Sequence, residues 1–108
     1  MPTFNEFLST IKDDLLKFAK ENLEEYKDEL LKDGNEFVKK AKKDLERWTE
    51  GLASGALSKA DFEFLLKGKR DLAEMEALKQ LGLSKIRVNR ITNGVIDVVV
   101  GSAVKTFL

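Results

Sequence analysis

Adjacent carboxylates occur twice near the start of the chain, at Asp13-Asp14 and Glu24-Glu25, and a third acidic point follows at Asp33-Gly34-Asn35. A carboxylate pair does general acid–base work when a pocket fixes the separation of both groups and pushes one pKa upward. Neighbours on an exposed helix diverge by about 100°, so neither pair converges and a solvated face is expected. Asp33-Gly34-Asn35 offers two oxygen ligands but lacks the spacing of a calcium loop, with its glycine sixth and glutamate twelfth. The chain has no histidine and no cysteine. Imidazole acid–base chemistry, thiolate nucleophiles, thiolate zinc sites and disulfides are therefore not open to it. The expectation is a protein that is not an enzyme and carries no metal or other cofactor.

Two basic clusters could meet an anion: Lys39-Lys40 with Lys42-Lys43, and Lys67-Gly68-Lys69-Arg70. Nucleic-acid binding wants a broad positive face with aromatic side chains interleaved. Acids stand beside both clusters, at Asp44, Glu46 and Asp71, and the chain as a whole is neutral, with 19 basic and 19 acidic residues. The pattern argues against nucleic acid and for solvated helix faces. No glycine sits in the strand–turn–helix setting of a phosphate loop.

The elements that would position these groups are dominated by a repeat of eleven residues from Phe4 to about Leu52. Its first position is Phe4, Leu15, Tyr26, Phe37 and Trp48; its fifth is Leu8, Ala19, Leu30, Ala41 and Leu52; its ninth is Lys12, Leu23, Gly34 and Leu45. Eleven residues over three turns give about 3.67 per turn, which keeps such positions on one slowly drifting stripe of an α-helix. In periodicity, over residues 4–52, this is similar to the amphipathic repeats of apolipoprotein-type and late-embryogenesis-abundant helices. That resemblance implies a lipid surface as one possible partner of the first helix.

Thr3 and Glu6 make the capping box of a helix start, and Asp13–Lys17, Asp28–Lys32 and Glu36–Lys40 add acid-before-base pairs four apart. Acids prevail between Glu6 and Glu36 and bases between Phe37 and Arg47, an order that suits the macrodipole of one long helix. Asp-Gly-Asn at 33–35 is good turn chemistry, but the register crosses Gly34 without gaining or losing a residue. One continuous helix over residues 3–52 is therefore expected, about 70 Å long at 1.5 Å per residue, with a turn at Gly34 as the alternative. Gly51, Ser54 and Gly55 end it. Ser58 and Asp61 cap a second helix over 58–81, closed near Gly82. In residues 84–108 Asn93-Gly94 is a hairpin signal, but strict alternation fails. Val88, Ile91, Val95 and Val98 instead fall at helical spacing, which predicts a third helix over 84–107.

The sequence thus predicts a single all-α domain over residues 1–108: a long amphipathic helix packed against two shorter ones, as an elongated helical bundle or coiled coil. The first helix is about twice as long as either of the others, so two short helices cannot cover it. A non-enzymatic structural or protein-interaction module follows, self-associating through apolar helix faces, with a homodimer favoured and another protein partner possible. The interface candidates are Phe4, Leu8, Leu15, Ala19, Leu23, Tyr26, Leu30, Phe37, Ala41, Leu45 and Trp48. Peripheral binding to a lipid surface through the first helix is the alternative. The N-terminus has no basic segment followed by an apolar run of signal-peptide length. The most apolar stretch, 95–108, is interrupted by Asp97 and Lys105 and is shorter than the roughly 20 residues of a membrane span. A cytoplasmic protein without a transmembrane segment is expected, a setting compatible with the absence of cysteine.

Overall fold

Thr3 begins the first helix as its side chain predicts, its hydroxyl oxygen accepting the Glu6 backbone N–H at 3.1 Å. The computed structural model describes residues 3–108, and in them every element is helical. α1 spans Phe4–Asn22, α2 Lys27–Lys40, α3 Lys42–Ser54, α4 Lys59–Lys67, α5 Glu76–Gln80 and α6 Lys85–Phe107. Single 3₁₀ turns at Glu24–Tyr26 and Arg70–Leu72 join α1 to α2 and α4 to α5.

The expected 3–52 rod is therefore three helices, but its breaks avoid Gly34, which lies inside α2. The first break is at Leu23, with φ −154° and ψ 49°. The second is at Ala41, a single non-helical residue with φ −92° and ψ 5°. Both residues belong to the apolar stripe and both are buried. The chain turns around its own core-directed side chains, so the apolar phase survives while the axis changes direction. Turning back lets the stripe be covered from within the chain, which a straight rod cannot do. In place of a rod of about 70 Å, the molecule measures 42 × 23 × 19 Å with a radius of gyration of 13.5 Å, about that of a globular domain of this length.

Antiparallel pairing of α1 with α6 forms the backbone of the bundle. It can be followed from the rings of Phe7 and Phe107, 5.6 Å apart, through Asp14 with Ser102 and Lys105, to Glu25 with Arg87 beyond the end of α1. α2 returns along α1 with Gly34 over Leu15, and α3 and α4 close the core against α6. Phe7, Leu15, Phe37, Leu45, Phe62 and Val95 sit at its centre.

The second expected helix, 58–81, is also divided. Ser58 and Asp61 form the predicted capping box, each bond at 3.1 Å, but α4 stops at Lys67. After the 3₁₀ turn, Met75 takes the left-handed conformation at φ 53° and ψ 42°. It is buried there, so packing holds a backbone geometry that a methionine adopts at some cost. The third expected helix is a single helix, α6, and Asn93-Gly94 runs straight through it.

Candidate functional site

The acidic pairs separate by role as soon as the helices pack. Asp13 points to solvent while Asp14 is tied down across the α1–α6 seam. One Asp14 oxygen accepts the hydroxyl of the fully buried Ser102 at 2.7 Å, and Lys105 Nζ donates to both oxygens at 3.0 and 3.2 Å. Burial opposes ionisation of Asp14, but the Ser102 hydroxyl and the Lys105 ammonium, with Lys17 nearby, outweigh it and hold the pKa below the ordinary 3.8. A carboxylate kept ionised by two donors is an interhelical latch and is unsuited to proton transfer. Glu24 is exposed, and Glu25 meets Arg87 at 3.2 Å on the surface.

Asp33 is no part of a turn. It is buried on α2, and its two oxygens accept the backbone N–H groups of Ala77 at 3.0 Å and Leu78 at 2.9 Å. These are free donors of the first turn of α5, so a carboxylate distant in sequence does the work of a local cap. Sequence spacing could not reveal this, because the partner is tertiary. Among the described residues no cluster of three or more histidine, cysteine, aspartate or glutamate side chains is placed to hold a metal ion.

Three of the seven basic residues in the two clusters, Lys40, Lys67 and Lys69, are taken up by ion pairs. Lys40 meets Glu74 at 3.6 Å, Lys67 meets Glu63 at 3.1 Å, and Asp44 takes both Arg47 at 2.9 Å and Lys69 at 3.3 Å. Lys39 and Lys42 make none of these pairs. They turn instead to a groove of about 420 Å³ between α1 and the α2–α3 bend, where Lys12 joins them from α1. The walls and floor are Leu8, Ile11 and Val38, with Asn35 at one end. Lys12 is the departure from the apolar or small ninth position of the repeat, which is the one trace of this groove in the sequence.

No family model, curated protein or solved structure matches the chain.

Of the interface candidates, Leu15, Ala19, Leu23, Leu30, Phe37, Ala41, Leu45 and Trp48 lie in the core formed by this one chain. Phe4, Leu8 and Tyr26 are partly buried against it. The folded chain therefore already covers the greater part of the stripe. Large apolar side chains do remain outside, and sequence reasoning passed over them: Phe64 on α4 is 78% exposed and Ile86 at the start of α6 is 74% exposed. Phe64 sits two residues from the buried Phe62 and Leu66, so it occupies the opposite side of α4 by helical geometry. No helix among the described residues is long and apolar enough to cross a membrane.

Proposed function

We propose that this chain is a non-catalytic helical interaction module that assembles with a second copy of itself through apolar side chains on its outer surface. The observation that carries the reading is Phe64, a phenylalanine 78% exposed on a capped helix whose other large apolar side chains pack against the core. A rigid exposed aromatic is the kind of residue that dominates protein interfaces once desolvated. Net neutrality, with 19 charges of each sign, lets two copies approach without net repulsion. A surface around Phe64 that meets its own copy across a two-fold axis needs no second type of surface.

This places the interface away from the stripe residues from Leu15 to Trp48, whose substitution would damage the fold before it touched any assembly. Light scattering after size-exclusion chromatography at tens of micromolar tests the reading. The expected mass is twice the 12.2 kDa chain, falling to a single chain in Phe64→Asp with helix content retained. A wild-type mass of one chain, or a dimer indifferent to Phe64→Asp and Ile86→Asp, overturns it.

A further inference from the structure

The groove between α1 and α2 differs in charge from the other clefts of the surface. The cleft beside Met75 is lined by Asp33, Glu36, Glu74 and Glu76 together with Lys32 and Lys40, and that beneath Gly101 sets Asp14 and Glu21 against Lys17 and Lys105. The α1–α2 groove is lined by Lys12, Lys39 and Lys42 with no carboxylate. Among the described residues none of these three lysines has a carboxylate within 4.0 Å; the ion pairs use Lys40, Arg47, Lys67, Lys69, Arg87 and Lys105 instead. Three uncompensated ammonium groups around an apolar floor make a site complementary to an anion that carries an apolar tail.

We propose that this groove binds one fatty acid, with the carboxylate held by Lys12, Lys39 and Lys42 and the aliphatic chain laid over the half-buried Leu8 and Val38, beneath which Ile11 belongs to the core. Each ammonium is a three-fold donor, and charge-assisted bonds to a carboxylate are among the strong ones. The Asn35 side chain adds a neutral donor at the rim. At about 420 Å³ the space falls within the range of small-molecule sites. The shape of the floor favours a single chain over a docked helix. On α2 the apolar contact is Val38 alone, with Asn35 one turn before it and the bend into α3, which begins at Lys42, just after it. A partner helix sets its anchors one and two turns apart, and would place the next one on a polar residue. This inference is independent of self-association through Phe64, which lies on a different helix.

The test is a titration of the full chain with dodecanoate below its micelle concentration, followed by amide chemical shifts in two-dimensional NMR. Saturable binding is expected, with the shifts concentrated at Leu8, Lys12, Val38 and Lys39. Acetate and dodecyltrimethylammonium should not reproduce it, since one lacks the chain and the other the anion. Lys12→Glu with Lys39→Glu should weaken binding by about ten-fold or more with helix content unchanged, whereas Lys39→Arg, which keeps the cation, should remain within about three-fold of wild type. The proposal is overturned if the cationic surfactant binds equally well, if charge reversal leaves the affinity unchanged, or if the shifts centre on the buried core. Binding of anionic vesicles or of an acidic helical peptide at these residues, with none of dodecanoate, overturns it as well.

Discussion

The carboxylate of Asp33 accepts the backbone N–H of Leu78 at 2.9 Å across 45 residues of chain, and that of Ala77 beside it. α5 has only five residues and no side-chain cap of its own, too short to persist without tertiary support. Asp33→Ala removes both acceptors and leaves the buried Leu78 donor without a partner. A loss of about 2–3 kcal/mol is expected in urea unfolding, with Asp33→Asn intermediate because its amide oxygen keeps one acceptor. A loss below about 0.5 kcal/mol would show that α5 does not depend on this bond.

Gly94 and Gly101 occupy the same helix and should respond oppositely to alanine. A Cβ on Gly94 would run into the ring of Phe18, its Cε2 only 2.7 Å away, whereas a Cβ on Gly101 meets nothing within 4 Å. Gly101→Ala is expected to stabilise the protein by up to about 1 kcal/mol through helix propensity. Gly94→Ala gains the same propensity but must displace the Phe18 ring from the α1–α6 seam, with a net loss of about 1–2 kcal/mol. Thermal unfolding of the two variants side by side reads the difference, and equal shifts would contradict this packing.

Asp14 sets a pH dependence whose direction follows from its lowered pKa. The folded state holds the carboxylate ionised more tightly than the unfolded chain does. Its contribution is therefore fully present above the ordinary value of 3.8 and is lost as pH falls through the lower folded value. Asp14→Asn should be less stable than wild type at neutral pH, and the gap should close in acid below that ordinary value. Ser102→Ala, which removes one of the donors, should cost about 1–2 kcal/mol at neutral pH. A gap that stays constant from neutral to strongly acid pH would mean that the latch does not depend on charge.

Helical content, the start of α1 at Thr3, the Ser58–Asp61 cap and the helix over 85–107 were all legible, because each rests on local chemistry or a local period. The bends at Leu23 and Ala41 were not. Neither carries glycine or proline, and a stripe that stays apolar through a bend reads the same as one on a straight axis. Gly34 drew attention as a breaker, yet its lack of a side chain serves packing: a Cβ there would lie 3.1 Å from Leu15 Cδ1. The groove lysines were half legible. Lys39 and Lys42 stood out as a cluster, and Lys12 as an irregularity in the repeat, but only the reversal between α1 and α2 brings them together. The exposure of Phe64 could have been suspected from Phe62-Glu63-Phe64-Leu65-Leu66, where a helix of this length cannot turn every large residue inward.

The seam between α1 and α6 also imposes an order of events on the chain. It joins the segments farthest apart in sequence, so it closes the longest loop in the molecule and is disfavoured until much else is in place. During synthesis, Phe7, Ile11, Leu15 and Ala19 on α1 emerge well before Val95, Val99 and Ala103 on α6. For the interval between them, α2 is the main neighbour that covers the first helix. The nascent chain is thus an adhesive object until α6 has left the ribosome, and its vulnerability to aggregation lies in that delay more than in the finished fold.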